Sequence, residues 1–294
     1  MTRVVALGGG HGLAASLRAV RRYAEDICAI VSVADDGGSS GRLRADFGMP
    51  PPGDLRKCLV ALAEPGSLWT RAFEHRFGPG DLEGHAFGNL VIAGLTDATG
   101  DFPVALAEAG RLLGAVGRVV PATRDPVVLK AVVGIDANGG EGSIQGQVAV
   151  ANAGRIVGVS LVPADPEPPA EALEALARAD QVVIGPGSLF TSVLAVVAVP
   201  GLRDALATTP GTKVYVCNLH EQPPETTGYD VAGHVAALAT HGVEVDVVLC
   251  HPGALPIGSP GVRCVERPVA LPGDMAHDPE RLAAALVDLL GAVG

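Results

Sequence analysis

A run of apolar residues that ends in glycines and passes directly into an amphipathic helix limits a fold more than any composition does, and this chain opens on one. Residues 3–7 read as a strand, Gly8, Gly9, Gly10, His11 and Gly12 as a tight loop, and Leu13, Leu17 and Val20 as the apolar stripe of a helix. Strand, glycine loop and helix begin a nucleotide-binding βαβ unit, in which free N–H groups and the positive end of the helix dipole face an anion. The loop is not a strict Gly-x-Gly-x-x-Gly, so a merely tight turn is the alternative. The second apolar run, residues 30–33, tells against that alternative. It stops at Asp35, close to the offset of roughly 20 residues at which such folds place a ribose-binding acid.

The stretch VSVADDGGSSGRLR, residues 31–44, reads as that second strand feeding a polar, sharply turning loop. Asp35 and Asp36 are adjacent carboxylates suited to ribose hydroxyls or a metal ion. Ser39, Ser40 and Arg42 can take an anionic group that the carboxylates would repel. A solvated surface turn is the alternative.

Further along, MPPPGDLRKCL places Asp54 where it can cap a helix, contact a ligand, or do both. Residues 68–77 read as a short helix, and GHAFGNL sets His85 and Asn89 at the mouth of another, where His85 is either structural or a phosphate contact and proton donor. A helical subregion is expected over about 53–114, its last helix started by Asp101 and Pro103 and running to about Leu113. From about 118 to 162 the texture changes to short β-branched runs, at 129–135, 144–150 and 156–162, separated by DANGGEG and ANAG. They predict an inserted antiparallel β meander, a lid, brace or oligomer contact with no chemistry of its own. The α/β alternation then returns. A strand over 181–184 ends in GPGSLFTS, with Gly185, Gly187 and Ser188 at a helix entrance, and a strand over 212–217 ends at Asn218. The loop that follows carries Tyr229 and leads into a helix over 231–240, and a helix over 278–290 closes the pattern. The fold class is α/β, a mostly parallel sheet flanked by helices, whose loops after the strands open on one edge.

Composition excludes some functions. Aromatic residues are 3% and the formal net charge is −11, which oppose a base-stacking or phosphate-backbone surface, so no nucleic-acid partner is expected. The five cysteines form no Cys-x-x-Cys pair and read as reduced core residues. No apolar run reaches the roughly 18–20 residues of a membrane span, and the amino terminus enters a strand without a leader, so a cytoplasmic protein is expected.

Taken in order, GGGHGL, VADDGGSSGRLR, PPGDLRKCL, GHAFGNL, ADQVVIGPGSLFTS, NLHEQPPETTGYDVAGHV and HDPERLAAAL resemble the gluconeogenesis factor (YvcK-type) family of the CofD-like superfamily, which includes 2-phospho-L-lactate transferase. The resemblance spans nearly the whole chain and implies one Rossmann-like CofD fold over 1–294. It implies binding of a UDP-sugar such as UDP-N-acetylglucosamine and a regulatory role in cell shape and wall synthesis during gluconeogenic growth. A protein partner and a homo-oligomer go with that reading. Carried over by position, residues 8–12 would hold the diphosphate, Asp35 and Asp36 would face ribose or a magnesium ion, Asn89, Gly187 and Ser188 would line the same cleft, and Tyr229 would stack on the ligand. The transferase branch implies an alternative, transfer of a phospholactyl-type group from a nucleotide-activated donor to a deazaflavin. VADDGGSSG, in place of an Asn-Thr-Gly-Asp-Asp pattern, favours the sensor. Two departures stand out: His11 replaces a threonine, and Ala276 replaces an arginine before His277 and Asp278, leaving Arg267 or Arg281 to substitute for it.

Overall fold

Continuous β-branched runs that are buried on both faces belong in the middle of a parallel sheet, and they build the centre of this molecule. The computed structural model describes residues 1–134 and 140–290. Strands β1 (Arg3–Gly8), β2 (Asp26–Val31) and β3 (Arg118–Pro121) pair in parallel toward one edge. The antiparallel insertion follows as β4 (Val128–Gly134), β5 (Glu141–Gln145) and β6 (Ile156–Val162), in spatial order β5-β4-β6. Strands β7 (Gln181–Ile184), β8 (Thr212–Val216), β9 (Val247–Cys250) and β10 (Arg263–Glu266) then extend the main sheet the other way, so its order is β10-β9-β8-β7-β1-β2-β3. The chain reverses its direction of growth between β1 and β7. That is a topological switch point, and the loops leaving the two strands diverge there to open a crevice.

Helix α1 (Gly10–Val20) buries Leu13, Leu17 and Val20 against the sheet and lies between α3 and α12. Helices α2 (Gly38–Phe47), α3 (Gly53–Leu62), α4 (Leu68–Glu74), α5 (Phe87–Thr99) and α6 (Phe102–Leu113) fill the interval between β2 and β3. The expected start of α6 holds, with the Asp101 carboxylate accepting from the Val104 N–H at 2.9 Å and Pro103 in the first turn. The short helix α7 (Gln147–Ala151) lies within the insertion and α8 (Ala170–Arg178) follows it. A π-helical turn, Leu189–Val193, then leads into α9 (Leu194–Val197) and α10 (Pro200–Thr208). The chain ends through α11 (Val231–Thr240) and α12 (Pro279–Asp288). Among the described residues no single helix is long and apolar enough to cross a membrane.

The structure departs from the expected elements in three places. The polar loop after β2 is short, because the serines and arginines of GSSGRLR form α2, which Gly48 ends in the left-handed conformation at φ 64°. Helix α4 stops at Glu74, where the chain turns into a small antiparallel contact between Arg76 and Ala86. The run 144–150 is not one strand. Gly146, at φ 99°, turns the chain out of β5, and the residues after it form α7. Most of the DANGGEG turn falls in 135–139, outside the described residues, while ANAG does join α7 to β6.

Candidate functional site

The crevice at the β1/β7 switch point is a polar cleft of about 340 Å³. Its floor is the start of α1. Gly9 is the N-cap residue with no side-chain cap, so the N–H groups of Gly10, His11 and Gly12 have no carboxylate or hydroxyl closing the helix end. Close approach of two backbones builds this floor. A Cβ on Gly12 would collide with the Pro186 carbonyl oxygen and come within 2.6 Å of Gly187 Cα, so the α1 loop and the β7 loop meet only because that side chain is absent. Ser16, one turn further along α1, donates to the Gly185 carbonyl at 2.7 Å and locks the two loops together.

The second wall is Gly187, Ser188 and Ser192 after β7. Asn218, two residues past β8, holds Gly187 from both sides: its Oδ1 accepts from the Gly187 N–H at 3.1 Å and its Nδ2 donates to the Gly187 carbonyl at 3.0 Å. The same Nδ2 donates to Gln222 Oε1 at 3.1 Å, which brings the loop after β8 to the cleft. Glu225 secures that loop. Its buried carboxylate accepts from the N–H groups of Phe190 and Thr191 at 2.6 and 3.1 Å, and burial raises its pKa.

Charge enters from the facing side. Asp35 lines the cleft, with the Gly37 N–H donating to it at 2.9 Å, and burial raises its pKa, reinforced by the nearby Asp54. Asp54 does not cap α3. Pro52 is already in the helical region at φ −82° and ψ −11°, so the helix starts two residues earlier than a cap at Asp54 would place it, and Asp54 falls inside its first turn. Its carboxylate accepts from Lys57 Nζ at 2.9 Å, and both groups face the cleft. His11 stands at the rim with its pKa lowered, first by burial and then by Lys57.

The two adjacent carboxylates part company. Asp36 turns to α7, where its two oxygens accept from the N–H groups of Gln147 and Val148, each at 3.0 Å. It thereby caps the helix and brings Gln147 into the cleft wall. The carboxylates that share the cleft are therefore Asp35 and Asp54, and among the described residues no group of three or more His, Cys, Asp or Glu has the arrangement of a metal site. Asp35 and Asp54 suit a magnesium ion only where ligand phosphates complete its shell. Asp36, with both oxygens engaged, does not join them.

Ser39, His85 and Asn89 form a separate buried network behind α2, while Ser40 stays beside the cleft through its hydrogen bond to Asp35. Arg56 Nε donates to Asn89 Oδ1 at 2.9 Å, Asn89 Nδ2 donates to Ser39 Oγ at 3.1 Å, and Ser39 Oγ lies 3.1 Å from His85 Nδ1. The direction of that last contact follows the tautomer of the ring, since a hydroxyl that accepts from Asn89 keeps both its proton and a second lone pair. Burial and Arg42 lower the His85 pKa, which favours the neutral ring. Ser40 accepts from the Gly53 N–H at 3.1 Å and Arg42 donates to the Glu83 carbonyl at 2.8 Å. These contacts brace α2 against its neighbours. Tyr229 packs edge-on against Phe190 and His234, with ring centroids 6.2 and 5.6 Å away, and stands behind the cleft wall rather than in it.

Lys57, Gln147, Ser192 and Gln222 are cleft residues that sequence reasoning missed. Only Lys57 had a local signal, its three-residue spacing from Asp54 at the start of a helix. The others reach the cleft through tertiary contacts.

Residues 4–262 match the family described as 2-phospho-L-lactate transferase CofD. The chain is 45% identical over 253 residues to a gluconeogenesis factor of Halalkalibacterium halodurans, covering 84% of this chain and 77% of that protein. It is 43% identical over 241 residues to the gluconeogenesis factor of Bacillus subtilis, covering 81% and 74%. The crystal structure of a protein member of the UPF0052 family from Bacillus halodurans superposes with a TM-score of 0.90 at 37% identity, covering 97% of this chain and 98% of that one.

Proposed function

The chain belongs to the CofD family, and from that premise we propose that it binds a UDP-sugar, UDP-N-acetylglucosamine being the ligand to test, in the cleft at the β1/β7 switch point. The observation that carries the reading is the uncapped start of α1, held open by Gly12 against the β7 loop. A diphosphate placed there meets helix N–H groups, Ser188, Ser192 and the Lys57 ammonium, while Asp35 offers a carboxylate to ribose hydroxyls. Tyr229 supports the site from behind the cleft wall, through its edge-on packing against Phe190. The relatives' name, gluconeogenesis factor, supports a regulatory role during growth on gluconeogenic carbon, with the ligand altering contacts to a protein partner in the cytoplasm that controls cell shape and wall synthesis.

A thermal-shift series with UDP-, GDP- and ADP-linked ligands tests the reading, since a ligand that binds only the native state raises Tm by mass action. UDP-N-acetylglucosamine is expected to raise it. Lys57→Ala should weaken calorimetric affinity about tenfold by removing a charge-assisted contact, and should also lower the unliganded Tm, because the buried Asp54 carboxylate loses its partner. No shift with any of these ligands would remove the proposal.

The facing carboxylates favour a second reading. Asp35 and Asp54 can hold a magnesium ion against a ligand diphosphate, and the transferase in the family description would use it to stabilise a leaving phosphate. Incubation with magnesium, a nucleotide-activated phospholactyl-type donor and a deazaflavin acceptor, followed by mass spectrometry, decides it. An absence of product would exclude the transferase while leaving the sensor untouched.

A further inference from the structure

Three of the five cysteines converge on one sheet face at the far end of β8, β9 and β10. Cys217 follows the last residue of β8, Cys250 ends β9 and Cys264 lies in β10. Val216 pairs with Leu249, and the Cys217 N–H donates to the Leu249 carbonyl at 3.0 Å, so the parallel register carries Cys217 directly opposite Cys250. On the other side Cys250 is opposite Glu266, and Cys264 is opposite Val248. Opposite residues in a sheet point to the same face, as do residues two apart along a strand. All three sulfurs therefore share a face, and each influences the ionisation of another.

The register also decides which pair can bond. Directly opposite residues on neighbouring strands have Cα atoms about 5 Å apart, inside the window a disulfide spans. Cys264 stands one diagonal away from Cys250, a separation of roughly 7–8 Å between Cα atoms that exceeds it. Cys28 and Cys58 are buried elsewhere, on β2 and α3, and neither has a thiol partner in the strand pairing.

We propose that Cys217 and Cys250 form a reversible disulfide and that Cys250 is the thiol an oxidant strikes first. The chemistry follows from the surroundings of each sulfur. The Cys217 and Cys264 thiols both stabilise a negative charge on Cys250 and lower its pKa in spite of burial, whereas Cys217 and Cys264 are pushed up, Cys264 to about 11. Flanked by two thiols that favour its charged form, Cys250 is the readiest of the three to ionise, and the thiolate is the reactive form. Cys250 is buried, at 4% exposure, but it ends β9 and stands one diagonal away from the half-buried Cys264 on the edge strand β10, so the oxidant to consider is as small as hydrogen peroxide. The Cys250 thiolate attacks one peroxide oxygen and breaks the O–O bond, giving a sulfenic acid and, after protonation, one water. Cys217 sulfur then attacks Cys250 Sγ, the S–O bond breaks, and the departing hydroxide takes the Cys217 proton as a second water. Two thiols are oxidised to a disulfide and one peroxide is reduced to two waters.

Reduced, desalted full-length protein treated with hydrogen peroxide tests the site. Digestion with an endoprotease that cuts between the two cysteines, followed by mass spectrometry with and without dithiothreitol, should show Cys217 linked to Cys250 as the main product, reversible by the reductant. Dimedone, which traps sulfenic acids, should label Cys250 in Cys217→Ser, and Cys264→Ser should still form the cross-link. Dimedone labelling confined to Cys264, or loss of free thiols only when the protein is unfolded, would overturn the proposal. Wild-type mapping stands without the variants, so a substitution that fails to fold leaves the test intact.

Discussion

At the scale of single residues, a position matters here through the one contact that its neighbour in sequence does not make. Gly12 has no steric slack toward the β7 loop. Gly12→Ala should destabilise the protein by about 1–3 kcal/mol, the cost of overpacking, read from the urea midpoint, and should abolish the ligand-induced thermal shift as the loops part. His277 acts through burial. Its pKa is pushed down to about 4 from 6.5, mainly by desolvation and further by the nearby His251 and His220, although its contact with the Cys217 carbonyl opposes the shift. The folded state keeps this ring neutral where the unfolded chain takes up a proton. Its contribution to stability is therefore complete above pH 6.5 and lost as the pH falls toward 4, in all about 3 kcal/mol. Urea melts across that interval should show a shallower acid slope for His277→Gln than for the wild type, and parallel slopes would contradict this account. That Gly9, Gly10, His11, Gly12 and Asp35 stand at strand-end loops was legible because local sequence sets a loop after a strand, and these loops line the cleft. The division between Asp35 and Asp36 was not. Side-chain direction at the end of a strand depends on what waits opposite, and for Asp36 that is an amide pair 111 and 112 residues away.

At the scale of elements, the helices read most clearly were those with their own punctuation. Asp101 and Gly114 bound α6, and Asp230 caps α11, its carboxylate accepting from the Gly233 N–H at 2.7 Å. The two misread elements lack such signals. Helix α2 begins at glycines and serines that suit a loop as well as a helix, and α7 takes its cap from outside its own sequence. That borrowed cap gives a prediction. Asp36→Ala should cost about 1 kcal/mol of stability, the usual value of a lost N-cap, and should raise hydrogen-exchange rates over residues 147–151 without touching those of β1. If both regions exchange as in the wild type, Asp36 is not what holds α7.

At the scale of the whole molecule, the parallel α/β core could be read from alternating apolar runs and glycine loops, but the order of the strands could not. Only the order puts the loops after β1 and β7 side by side, and only then do residues 185–188 and 8–12 share a cleft. The insertion illustrates the same limit. Its sequence carries no chemistry, yet Asp36 draws Gln147 into the wall of the cleft, and α7 also packs against the π-helical turn after β7. The antiparallel sheet is thereby tied to the cleft, although β5, with alternating exposed and half-buried residues, contributes little to the core. An element with so little buried apolar area opens at low free energy, whereas fully buried β7 and β9 open only with the global transition. Ligand binding stabilises whatever opening exposes the site. Saturation of the cleft with UDP-N-acetylglucosamine should therefore slow exchange most over 146–151 and least in β9, which is already close to the global limit. Uniform slowing everywhere would mean that the insertion opens only with the whole molecule. Protection confined to residues 8–12 would mean that Gln147 lies beside the ligand without being coupled to it.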